Sequence, residues 1–87
     1  MKFTVTWTTN AEQELTRLWL AGRDRMAIDE AVAAIESTLA TNPLDAGESR
    51  SGNVRIVIVE PLVVLVSIRE LDRLVKVVHV ARNPWRQ

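Results

Sequence analysis

Three valine-rich runs fill the second half of this 87-residue chain and restrict its fold more than any other feature. Residues 54–59, 62–68 and 74–81 are crowded with Val, Ile and Leu and show no helical period. Glu60-Pro61 separates the first two runs, and the polar stretch Arg69–Asp72 separates the last two. Proline cannot donate to a sheet ladder, so Pro61 belongs to a turn or to the first position of a strand. Three short β-branched runs with brief breaks read as three strands of an antiparallel meander.

The first half has a different rhythm. Lys2 to Thr8 alternates strictly, with Phe3, Val5 and Trp7 on one side and Lys2, Thr4, Thr6 and Thr8 on the other, which predicts a half-buried strand. Thr9 with Glu12 three residues on has the spacing of a capping box, so a helix should start there. Ala11, Leu15, Leu18 and Trp19 then form one apolar stripe, and Gly22 is a natural stop. Asp24 is a candidate cap for a second helix, whose stripe is Ile28, Ala31, Val32, Ile35 and Leu39. Asn42-Pro43 ends it, because the residue before a proline disfavours helical backbone. The polar stretch Asp45–Asn53, with Gly47 and Gly52, reads as an exposed loop.

The expected order is strand–helix–helix–strand–strand–strand in one domain spanning residues 1–87. This is an α+β fold, an antiparallel sheet with a helix hairpin packed on one face. The meander is apolar on both faces: Val57 and Val59 stand opposite Val54, Ile56 and Ile58, and Val64 and Val66 opposite Val63 and Leu65. One helix pair covers one face. The other is covered by something else, a second copy of the chain included, or carries a functional hollow, or curls upon itself. In the last run, alternation predicts Val75, Val77, His79 and Ala81 on one side and Lys76, Val78 and Val80 on the other.

Composition narrows the chemistry. There is no cysteine and one histidine, which excludes a disulfide scaffold and a thiol nucleophile and makes a structural zinc site improbable; no cofactor is implied. No stretch reaches the ~18 apolar residues of a membrane span, and Met1 runs directly into an alternating segment without a leader pattern. The expectation is a cytoplasmic protein that does not engage a membrane. The zero net charge conceals an asymmetry: residues 1–49 carry four basic and eight acidic groups, residues 50–87 seven and three. Six of those seven are arginines, whose guanidinium groups match phosphate in bidentate fashion; a solvated sheet face accounts for them equally well.

The order and spacing of several segments resemble the RelE/ParE superfamily of bacterial toxins from type II toxin–antitoxin pairs. They are Ala11-Glu12-Gln13-Glu14-Leu15 with Leu18-Trp19-Leu20, the Ala31–Leu39 stripe, Asn42-Pro43, Gly47-Glu48-Ser49-Arg50, Val54-Arg55-Ile56 and the closing Val77-Val78-His79-Val80-Ala81-Arg82-Asn83. The resemblance implies a basic sheet face and an antitoxin partner that wraps the toxin. In the RelE branch the target is messenger RNA on the ribosome, which the toxin cleaves. In the ParE branch it is DNA gyrase, which the toxin inhibits without hydrolysis. Cleavage of ribosome-bound mRNA is the first expectation here, gyrase inhibition the second, and a non-toxic protein-binding module with the same fold the third.

Carried over, the resemblance places Arg55 and Arg82 as phosphate-contacting catalytic positions. His79 is the candidate acid or base, with a strand-end histidine satisfied by a neighbour as the other reading. Arg50, Arg69 and Trp85 are candidate RNA contacts, with Arg50, Arg55, Arg69 and Arg82 expected to converge on one phosphate. The lysines and C-terminal tyrosine common in RelE-type enzymes are missing, and the neutral total charge gives little steering toward a ribosome.

Overall fold

The computed structural model describes residues 2–84, with backbone only for 49–51. The elements run β1 (Thr4–Trp7), α1 (Thr9–Ala21), α2 (Arg25–Thr41), a 3-10 turn (Pro43–Asp45), β2 (Glu48–Ser51), β3 (Val54–Val59), β4 (Leu62–Arg69) and β5 (Leu74–Arg82). They build one five-stranded sheet in the order β1-β5-β4-β3-β2. All pairs are antiparallel except β1, which lies parallel to β5. The helix pair between β1 and the meander supplies the crossover that a parallel neighbour requires.

The apolar patterns sort the two faces. Alternation along β4 buries Leu62, Val64, Val66 and Ile68 and leaves Val63, Leu65 and Ser67 half-buried. Register carries that face across the sheet: Val57 pairs with Val64, and Val66, Ile68 and Val64 pair with Val77, Val75 and Val80. Against it pack Ala11 of α1 and Ile28, Ala31, Ile35 and Leu39 of α2, all but removed from water. At about 25 cal/mol per Å² of apolar surface, each of Ile28, Ile35 and Leu39 contributes roughly 1.5–3 kcal/mol and each alanine less. The opposite face keeps Val54, Ile56, Val63 and Leu65 half-buried and Ile58 exposed, with no helix over it.

The helix ends differ in detail from the sequence expectation. Thr8, one residue before Thr9, is the cap of α1, its hydroxyl accepting from the Ala11 N–H at 3.0 Å. Gly22 ends α1, its N–H donating to Leu18 O at 3.0 Å. Asp24 does precede α2, but its side chain makes no capping bond. Arg25 ties the helices together instead: Nε donates to Trp19 O at 3.0 Å, and the guanidinium lies 4.5 Å from the Trp19 ring centre. The Trp19 indole N–H reaches Asp29 of α2 at 3.1 Å, and the Trp7 indole N–H reaches Glu36 at 2.9 Å.

Two expectations are corrected. Residues 48–51, within the expected loop, form the edge strand β2, with a bulge between Ser49 and Ser51. A polar edge strand shows no apolar alternation, and polar residues with a bulge blunt an edge against unwanted pairing. The second correction concerns β5. The ladder slips between Leu65↔His79 and Val66↔Val77, so Val78 is an extra residue. The bulge puts Val75, Val77 and Val80 on the core face together and turns His79 to the other, away from Val77.

Gly47 shows how tightly the start of β2 is built. Its φ is +58°, in the left-handed region, and a Cβ there would lie 1.9 Å from Ile56 O. Gly52 has a similar φ of +55° but no atom within 4 Å of the same position. Gly47→Ala is therefore expected to cost more than about 2 kcal/mol and Gly52→Ala about 1 kcal/mol. Urea unfolding of the two variants checks this; equal losses would refute the close approach.

Candidate functional site

Beyond Val77 the strand β5 has no strand neighbour on its outer edge, because β1 ends at Trp7. Side chains of the β1–α1 junction and α1 take its place. The Thr8 hydroxyl donates to Val78 O at 3.3 Å, and a Glu14 oxygen accepts the Val80 N–H at 2.9 Å. The second Glu14 oxygen lies 3.4 Å from His79 Nδ1, and the Asn10 amide nitrogen lies 3.3 Å from the same ring atom. The Val80 N–H, with His79 as a lesser contributor, lowers the Glu14 pKa below its ordinary 4.5. His79, about half exposed, thus has the Glu14 carboxylate and the Asn10 amide beside one ring nitrogen.

Arg82 faces the helix side, paired across the sheet with buried Leu62. It makes a bidentate ion pair with Asp24 at 2.9 and 3.2 Å, which explains why that carboxylate does not cap α2 and raises the already high pKa of the guanidinium. Just beyond, the Asn83 N–H donates to Pro61 O at 2.9 Å and its side-chain amide to Glu60, so the end of β5 is fastened to the β3–β4 turn.

Arg55 also belongs to the helix side, paired with buried Val66, and its Nε donates to Ala46 O at 2.8 Å. It lines a cleft of about 460 Å³ at the end of the sheet, together with Ile68, Arg69, Leu71, Leu44 and the Gly52-Asn53 turn. Arg69 lies 3.5 Å from Asp72, which lines the same cleft, as does Glu70. The backbone of Arg50 runs in β2 beside Arg55, through the Ser49↔Arg55 pair; its side chain and the whole of Trp85 lie outside the described residues.

The structure therefore brings Arg55 and Arg69 to one cleft and separates them from Arg82 and His79. Arg69 and Arg82 pair with opposite ends of the β4–β5 ladder, seven residues apart along β4, or about 23 Å at ~3.3 Å per residue. His79 and Arg82 stand on different faces, paired with Leu65 and Leu62. The expected convergence of four arginines on one phosphate does not occur, since Arg82 stands apart. The partners of the candidates carry no sequence signal for that role: Asp24 reads as a helix cap, and Glu14 as one residue of the segment that opens the first helix. Leu71 was also passed over, although it is the one apolar residue in a polar turn.

This architecture is shared with solved structures. The chain superposes on the RelBE2 toxin–antitoxin complex of Mycobacterium tuberculosis with a TM-score of 0.79 and 19% identity, over 95% of this chain and 93% of that one. For the chromosomal ParDE system of P. aeruginosa the values are 0.72 and 15%, over 93% and 96%. For the isolated RelE toxin of E. coli they are 0.72 and 11%, over 98% and 88%. No family model matches the sequence, and no curated protein matches it. The fold is that of the RelE/ParE toxins.

Two measurements check the contacts. Glu14→Gln keeps an acceptor for the Val80 N–H but removes the charge. A carboxylate whose pKa is lowered on folding stabilises above its unfolded value and loses that contribution as pH falls through the folded one. The stability gap between wild type and E14Q is therefore expected to be widest above about pH 5 and to close on acidification; a pH-independent gap contradicts the Val80 and His79 contacts. For the half-exposed Arg82–Asp24 pair, a double-mutant cycle with R82A and D24A is expected to show a coupling of about 0.5–1 kcal/mol. Additive losses would dissolve the pair.

Proposed function

We propose that this chain is the toxin component of a type II toxin–antitoxin pair, and that it acts by binding its target rather than by cutting RNA. The fold supports the first part: it is found in the toxin–antitoxin complexes just described. The dispersal of the catalytic candidates supports the second. Cleavage by a 2′-hydroxyl needs a proton acceptor, cations on the phosphorane and an acid for the leaving oxygen, all within hydrogen-bond reach of one phosphate. Here His79 is held by Glu14 and Asn10 at one edge, Arg82 is clamped by Asp24 on the other face, and Arg55 donates to a backbone carbonyl. A toxin that inhibits by occupancy needs no such assembly. DNA gyrase is the target named for the non-hydrolytic branch, and the antitoxin is the cognate partner inside the cell.

The cleft is the observation that favours the other reading, cleavage of ribosome-bound mRNA. Arg55 and Arg69 both line it and are suited to a phosphate, but no histidine, lysine or tyrosine joins them there. The two readings separate in bacteria given a pulse of induced expression. Binding to gyrase predicts that thymidine incorporation falls before methionine incorporation. Loss of methionine incorporation alone would establish the ribosome as target, and no effect from soluble, folded protein would remove the toxin function.

A further inference from the structure

Two neighbours of His79 compete for one of its atoms. Nδ1 lies 3.3 Å from the Asn10 amide nitrogen and 3.4 Å from Glu14 Oε2. The amide nitrogen only donates and the carboxylate only accepts, whereas a ring nitrogen offers either a lone pair or a proton. Nδ1 therefore serves one neighbour at a time. The other Glu14 oxygen is taken by the Val80 N–H at 2.9 Å, on the stretch of β5 that β1 does not reach. Nε2 has no partner among the described residues. Few charges surround the ring. Glu14 and Arg17 belong to α1, and Arg17 acts on the Glu14 carboxylate. Lys76 stands on the same sheet face of β5, between Ser67 of β4 and Thr6 of β1. The ring's neighbour on β4 is Leu65, and the β1 side offers the uncharged Thr6 and Thr8.

We propose that His79 is a proton-operated switch between two partners on α1: the neutral ring accepts from Asn10 through a bare Nδ1, and the protonated ring donates from Nδ1 to Glu14. Histidine is the side chain whose charge changes between about pH 5 and 8. Glu14, with its pKa held below the ordinary 4.5 chiefly by the Val80 N–H, is ionised throughout that range. The amide nitrogen decides the neutral state. A proton on Nδ1 would face a second N–H there, and a carboxylate gains less from a neutral ring than from an imidazolium. Acidification thus engages both Glu14 oxygens with β5, one on Val80 and one on His79, and tightens the hold of α1 on that open edge. A histidine that gains a carboxylate partner stabilises on the acid side and loses that contribution as pH rises. Nε2 carries a proton in both states, so the exposed nitrogen offers a donor and no lone pair, and it cannot take a proton from a substrate. The switch goes beyond the toxin reading and does not rest on it, since it holds whatever target the chain meets.

Nitrogen NMR of the isotope-labelled wild-type chain reads the tautomer directly. At about pH 8 it is expected to show Nδ1 bare and Nε2 protonated. Two double-mutant cycles, followed by urea unfolding at about pH 5 and about pH 8, then read the partners. The cycle of Glu14→Gln with His79→Ala is expected to show a coupling of about two- to fivefold in the unfolding constant at the acid pH and none at the alkaline one. The cycle of Asn10→Ala with His79→Ala is expected to show the reverse. A neutral wild-type ring with its proton on Nδ1, or with the two tautomers equally populated, overturns the proposal. So does a Glu14 coupling that is the same at both pH values, an Asn10 coupling that persists when the ring is charged, or the absence of both couplings.

Discussion

One extra residue, Val78, organises the ladder on which the molecule depends. Strand β5 sits between β1 and β4 and is bound along both edges. Without the bulge, alternation would carry His79 into the core beside Val77 and expel Val80. With it, Val75, Val77 and Val80 all enter the core, and His79 turns out to the edge that β1 leaves open. A bulge re-aims side chains and interrupts a ladder, and here the interruption is made good by Thr8 and Glu14, whose oxygens bond Val78 O and the Val80 N–H as a strand neighbour would.

The charge asymmetry along the chain takes its meaning from these contacts. Glu14 and Asp24 come from the acidic half; His79 and Arg82 come from the basic half. Folding brings the halves together, so part of what looks in the sequence like a basic surface for an anion is internal complementarity. Half-exposed ion pairs of this kind each contribute little, ~0.2–1 kcal/mol.

Much of the fold was legible. Period-two and helical patterns located β1, both helices and the three valine-rich strands, and the opposed sets Val57/Val59 and Val54/Ile56/Ile58 fell on the faces alternation assigns. Pro61 stands in the turn between β3 and β4, as its missing N–H requires. The β2 strand was hidden because a polar edge strand writes the same pattern as a loop. The bulge was hidden because Val-Val-His-Val keeps its composition whichever way it faces. The site was less legible than the fold. Single residues such as Arg55, His79 and Arg82 stand out by position and chemical type, and the partners that engage them lie 9 to 69 residues away in sequence. No spacing rule reveals a contact of that length.

The central claim is that the histidine and Arg82 of the basic half serve the fold instead of a scissile phosphate. Its most direct test is primer extension on an mRNA translated in a purified system to which the folded chain is added. The account predicts full-length transcript at concentrations of the chain that arrest growth in cells. Cuts within codons on the ribosome, abolished by Arg55→Ala or His79→Ala in variants that remain folded, would contradict it and restore the nuclease.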